Sequence, residues 1–119
     1  MYWKRKKSYE DSDYTVGGTQ VTLDQSEMVI RMQESTYGNF VSDLARLWYD
    51  VDCCTLNSGS FRAGGPLEPY QINFLYVTAL FDGPILVVEA NGKTMKEVLE
   101  RSCAERPNPS GCFLFVSGI

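Results

Sequence analysis

The 119 residues predict an α/β (α+β) fold, a mixed sheet with flanking helices. Three observations carry that expectation. Residues 37–50 place Phe40, Val41, Leu44, Leu47 and Trp48 at i, i+1, i+4, i+7 and i+8, the spacing of one helical stripe. Residues 94–103 place Met95, Val98, Leu99 and Ser102 on one face in the same way. Between and around these segments lie short β-rich runs, "DCCTLN" (52–57), "PILVVEA" (84–90) and "CFLFV" (112–116).

Taken in order, residues 1–18 read as a charged and aromatic tail or linker, and residues 19–119 as one domain. The basic cluster Lys4 to Lys7 is followed by acidic and polar residues, not by an apolar run. That excludes a signal peptide within this stretch and makes an intracellular setting the expectation. "TQVTLD" (19–24) alternates apolar and polar residues as a short strand does. "MVIRMQE" (28–34) has Met28, Ile30 and Met32 at period two and reads as a strand or extended segment. Asn39 is the expected N-cap of the helix over 37–50, with Asp43 in its first turns. The run 52–57 is a buried strand, and the Gly- and Pro-rich residues 63–69 form a loop. Asn73 caps a short helix over 74–80, and 84–90 is a further strand ended by the Asn91-Gly92 turn. Thr94 and Glu97 make a capping box for the helix over 94–103, which "RPNPSG" (106–111) breaks before the final strand.

Composition narrows the function classes. The chain is 44% hydrophobic and 22% charged, a globular balance, with a net charge of −4. No basic face is expected, so nucleic acid is not an expected partner. The longest apolar run, Pro84 to Val88, is far too short to span a bilayer. The four cysteines include no C-x-x-C pair, so reduced thiols are expected and not a zinc ribbon. The chain has no histidine, which removes the commonest general base and the commonest metal ligand. Asp50 and Asp52 read as turn and cap residues. No catalytic residue, metal site or cofactor is therefore expected within this chain.

The stretch "LNSGSFRAGGPLEPY" (56–70) is the candidate site. Asn57, Arg62 and three glycines follow directly on a strand. Glycine permits close backbone approach, and arginine matches planar anions such as phosphate. Four stretches, "IRMQESTYGNFVSDLAR", "LNSGSFR", "ALFDGPILVVEANGKTMKEVLE" and "GCFLFVSGI", occur in the order and pattern of a known family. The chain resembles the C-terminal domain of 5'-nucleotidases over about residues 20 to 119. The resemblance implies a nucleotide-binding domain whose catalytic chemistry belongs to a separate two-metal phosphatase domain. It implies phosphate-side roles for Arg31 and Arg62, a base or ribose contact for Asn57, and a base-stacking role for Phe81. Departures from the family pattern are Ser58 and Ser60 in place of loop glycines, Leu80 in place of a proline, and Asp82-Gly83 after the aromatic. The family's second stacking aromatic has no counterpart here, which leaves half a clamp and implies weak nucleotide affinity.

Two readings follow. In the first, the chain is a non-catalytic 5'-nucleotidase C-terminal-like domain used as a structural or interaction module, with a partner chain covering an exposed sheet edge. In the second, it is the nucleotide-binding half of a 5'-nucleotidase whose metal-dependent phosphatase domain lies outside this chain.

Overall fold

A computed structural model describes residues 15–61, 72–73 and 84–119. The chain forms the α/β class expected from its sequence. Its elements are β1 (Thr15–Gly17), α1 (Glu27–Ile30), α2 (Thr36–Tyr49), β2 (Cys54–Asn57), β3 (Ile72–Asn73), α3 (Gly92–Ser102) and β4 (Leu114–Ser117). The strands make two antiparallel pairs, β1 with β3 and β2 with β4. In the second pair Cys54 faces Ser117 and Asn57 faces Leu114. The loop expected over 63–69 and the helix over 74–80 lie outside the described residues.

The core forms where α2 crosses the β2–β4 pair. Gly38 is the reason the helix can come so close. A Cβ there would stand 2.7 Å from a ring carbon of Phe115. Phe115, Tyr37 and Phe61 therefore pack as an aromatic trio. Tyr37 meets both phenylalanines edge-on, with centroids 5.9 and 6.2 Å away, and the two phenylalanine rings lie 5.4 Å apart. Leu23, Ile30 and Val41 complete the buried cluster. Burial pushes the Tyr37 phenol well above its ordinary pKa. A second set of contacts fastens the end of β4 to α2. Ser42 Oγ lies 3.1 Å from the Val116 carbonyl. Ser117 Oγ accepts from Arg46 Nε at 2.8 Å and donates to the Asp43 carboxylate.

Several local expectations are corrected. Residues 19–24 form no strand, and Leu23 makes only an isolated bridge. Residues 28–34 are not extended. Backbone bonds from Ile30 to Ser26 and from Gln33 to Val29 wind them into α1 and a following turn. Of the period-two set, Ile30 enters the core while Met28 is left in solvent. Helix α2 begins three residues before Asn39. Ser35 is its N-cap, its hydroxyl accepting from the Gly38 amide at 2.9 Å, and Asn39 bonds the Glu34 carboxylate instead. The buried face of α2 is Tyr37, Gly38, Val41 and Ser42. Of the stripe, Val41 lies on that face and Phe40 packs half-buried against the core, while Leu44, Leu47 and Trp48 are exposed. Small residues win the contact because only they let the helix axis approach the sheet. The strand expected at 84–90 has no regular structure. Helix α3 starts earlier than Thr94: Asn91 Oδ1 accepts from the Thr94 amide at 2.9 Å and is the cap. Strand β2 is half-buried along most of its length, and its last residue, Asn57, is exposed.

Two predictions follow from the core. Phe115→Ala should cost about 3–5 kcal/mol in urea denaturation, whereas Leu44→Ala, on the exposed stripe, should stay within about 0.5 kcal/mol of the parent. The second concerns acid. The Asp24 carboxylate accepts from the Ser26 hydroxyl at 2.6 Å and from the Ser26 amide at 2.9 Å. These bonds, the hydroxyl first, hold its pKa below the usual carboxylate value. A lowered folded-state pKa contributes stability above the unfolded-state value, and that contribution is lost as pH falls through the folded one. Parent stability should therefore drop on acidification below about pH 4, the usual carboxylate range. Asp24→Asn should flatten that part of the profile in denaturation series at stepped pH.

Candidate nucleotide-side loop

Strand β2 ends at Asn57, and a 3-10 turn over Ser58–Ser60 follows. The turn is held against the segment before β4. The Ser58 amide donates to the Phe113 carbonyl at 2.8 Å, and the Gly59 amide to the Gly111 carbonyl at 3.0 Å. Gly59 and Gly111 cross backbone to backbone, and a Cβ on Gly59 would stand 2.9 Å from the Gly111 Cα. This is the close approach that glycine alone permits.

The two serines that replace loop glycines do not fill the space in front of the turn. Ser58 is fully buried, with Oγ 3.3 Å from the Ser110 carbonyl. The Ser60 hydroxyl donates to Asn57 Oδ1 at 2.9 Å. That bond engages the carbonyl oxygen of Asn57, an exposed residue.

Arg31 sits in the turn after α1. Its side chain is only 19% exposed, and Nη1 lies 3.1 Å from Glu27 Oε1. Its Nε is buried without a hydrogen-bond partner. Burying an unmatched donor is costly, a state that among the described residues Arg31 Nε shares with both polar atoms of the buried Gln25 amide. Backbone contacts bring Arg31 and the β2 turn together through one residue. The Ser110 amide donates to the Arg31 carbonyl, and the Ser110 carbonyl accepts from Ser58. Arg106 braces the same segment, its guanidinium donating to the Met32 carbonyl and lying 5.9 Å from the Phe113 ring centre. Arg62 and Phe81 lie outside the described residues.

Ser110, Gly111 and Arg106 are the supporting residues that sequence reading missed. "RPNPSG" signalled only a helix break. The one hint was a second glycine placed just before a strand, but nothing in the sequence pairs it with Gly59.

On its other side Asn57 borders an open groove of about 570 Å³ between α3 and β4. Val98, Arg101, Cys112 and Leu114 line it. Arg31 does not, so the groove and the arginine are separate features. All four cysteines are free. Burial, and secondarily the neighbouring Cys53, raises the Cys54 thiol pKa and keeps it protonated. Among the described residues no cluster of His, Cys, Asp or Glu could hold a metal ion, and no helix is long and apolar enough to cross a membrane.

The glycine crossing is directly testable. Gly59→Ala should destabilise the fold by about 1–3 kcal/mol, as overpacking does. Ser60→Ala, which removes only an exposed bond to Asn57, should cost about 1 kcal/mol or less. Thermal melts of the two variants against the parent check the ranking.

Three known proteins are similar to this chain in sequence. The trifunctional nucleotide phosphoesterase protein YfkN of Bacillus subtilis is 29% identical over 119 residues, which cover 96% of this chain and 8% of that protein. The human 5'-nucleotidase is 29% identical over 123 residues, covering 91% of this chain and 21% of the relative. The mouse 5'-nucleotidase is 28% identical over the same length. The chain thus spans a minor part of each of these relatives. The family described as 5'-nucleotidase, C-terminal domain, matches residues 15–119, and the chain belongs to that family.

Proposed function

We propose that this chain is the nucleotide-side module of a 5'-nucleotidase-type protein, binding a nucleotide weakly and carrying no catalytic group of its own. The observation that supports it best is Arg31, a mostly buried guanidinium whose Nε has no partner. Among the described residues only Glu27 pairs with it, through Nη1. A phosphate oxygen would satisfy the remaining donors with charge-assisted bonds. Asn57 offers its amide at the end of β2, where a ligand contacting the 57–62 loop would lie. Arg62, on that loop, is proposed as a second phosphate contact and Phe81 as a ring for base stacking, both by family resemblance. The serines at 58 and 60 are compatible with this reading, since one is buried and the other bonds back to Asn57.

Hydrolysis is assigned elsewhere. The chain has no histidine. Metal-assisted attack on a phosphoryl group needs a cluster of hard ligands to hold the ion and polarise the oxygen. The relatives are several times longer than this chain, and a phosphatase portion outside it is the proposed source of that chemistry.

A second reading has its own support. Trp48 is 84% exposed and Leu47 67%, adjacent on α2. Exposed aromatic and aliphatic anchors of this kind mark protein interfaces. The same module would then serve as a structural or interaction element, with a partner chain over this face.

Ligand-observed NMR with AMP tests the first reading. With the guanidinium contact and half a clamp, binding should be near 1 mM, about −4 kcal/mol. Arg31→Ala should abolish the effect while leaving the thermal melt within about 1 kcal/mol of the parent. Undiminished AMP binding by Arg31→Ala, or no binding by the parent at millimolar AMP, overturns it. Phosphate release from AMP by the purified chain with Mg²⁺ or Mn²⁺ is expected to stay at background. Metal-dependent turnover that copurifies with the chain and is lost on Arg31→Ala would overturn the non-catalytic part.

A further inference from the structure

Glu27 opens α1, and Arg31 follows its last residue one turn later. Glu27 Oε1 lies 3.1 Å from Arg31 Nη1. Among the described residues it is the one carboxylate paired with this guanidinium. The two partners sit in different surroundings, since the Glu27 side chain is 61% exposed and the Arg31 side chain 19%. Nε, bonded to the same carbon as Nη1, is buried and has no hydrogen-bond partner among the described residues. One nitrogen of the group thus faces a solvated carboxylate, and another is held out of water without an acceptor. We propose that Glu27 is a specificity-determining residue of the Arg31 site. Its carboxylate limits the negative charge of the phosphate that the guanidinium accepts, and so disfavours a nucleotide carrying a further phosphate group. This role rests on the nucleotide reading above.

Glu27 has two opposed effects. As a hydrogen-bond acceptor it restrains the guanidinium, which lowers the ordering cost of binding. As a charge it repels an incoming anion. Burial decides between them. The Arg31 side chain is already mostly buried, and its carbonyl accepts from the Ser110 amide. A side chain restrained in this way gains little from one more contact. The repulsion is not reduced in the same way. Charge-assisted contacts are about 2.7–2.9 Å long, so an oxyanion on Nε lies roughly 6 Å from the Glu27 carboxylate. That is inside the ~8 Å screening length at physiological salt. With the dielectric of water, which suits an exposed carboxylate, repulsion at that separation lowers affinity roughly threefold for each negative charge on the ligand. A phosphate monoester carries about two charges at neutral pH, and a diphosphate carries more. Glu27 therefore weakens AMP by up to about tenfold and ADP by a larger factor.

Ligand-observed NMR of the full chain with AMP, ADP and adenosine, divalent cations being chelated, reads this effect. Glu27→Gln keeps an oxygen acceptor for Nη1 and removes the charge, whereas Glu27→Ala removes both. Position 27 is exposed, so circular dichroism and melting of both variants should match the parent. Glu27→Gln should bind AMP roughly three- to tenfold more tightly than the parent, and ADP should gain by a larger factor. Adenosine should not change, and the gain should shrink as salt is added. Equal AMP affinities of the parent and Glu27→Gln overturn the proposal. So does an equal gain for all three ligands, which would not follow charge. Weaker AMP binding by Glu27→Ala, with no gain in Glu27→Gln, overturns it as well and makes Glu27 a positioning residue for Arg31. AMP binding that is lost on Arg31→Ala yet indifferent to Glu27→Gln removes this proposal and leaves the nucleotide reading standing. AMP binding absent from both the parent and Glu27→Gln removes both.

Discussion

The contact between Gly38 and the Phe115 ring is the constraint on which the rest of the fold depends. A helix can lie on a two-stranded sheet only if something is small where the two touch. Here the small residue is on the helix, and the large one rises from β4. The ring then stands between Tyr37 and Phe61, and those two tie it to α2 and to the turn after β2. Phe61 closes the turn that Asn57 opens, so the core and the candidate site share a boundary. The geometry of Asn57 follows from aromatic packing a few residues away.

The site is also built from the other end. Ser110 reaches the Arg31 carbonyl with its amide and Ser58 with its carbonyl. The segment before β4 therefore works as a strap across two elements that are distant in sequence. Arg106 at one end and the Gly59–Gly111 crossing at the other hold the strap in place. Among the described residues Arg31 has one carboxylate neighbour and a buried Nε without a hydrogen-bond partner. A chain that invests several backbone bonds in holding a segment, yet leaves one guanidinium nitrogen unmatched beside it, has kept a donor available at some cost to its stability.

Much of the fold was legible in the sequence, for identifiable reasons. Helices α2 and α3 were readable because their periodic patterns are long. Strands β2 and β4 were readable as short apolar runs bounded by turn residues. The misreadings have physical causes. Met28, Ile30 and Met32 satisfy a period of two, but three positions cannot separate a strand from one helical turn that buries only Ile30. Only the first turn of the α2 stripe, Phe40 and Val41, reaches the core, and the count of apolar residues did not point to Gly38 and Ser42, since large apolar residues outvote them. Sequence shows which residues are apolar, not which face the neighbouring sheet can approach. Residues 84–90 have strand chemistry without a strand partner among the described residues, and propensity cannot supply one. At the site, Asn57 and the glycine turn were visible as a loop signature. Ser110 and Gly111 were not, since their role exists only once residues some fifty positions apart are brought together.

The pairing of β2 with β4 bears on how the molecule is made. Residue 54 meets residue 117, and residue 57 meets residue 114. A ribosome adds about 5–20 residues per second, so several seconds separate the appearance of the two strands. Through that interval α2 can form, but Gly38 has no ring to sit on and Ser42 has no Val116 carbonyl within reach. The nascent chain must carry Tyr37, Val41 and Phe61 uncovered until Phe115 leaves the exit tunnel. Its period of greatest exposure to holding chaperones is thus set by the position of one strand in the message.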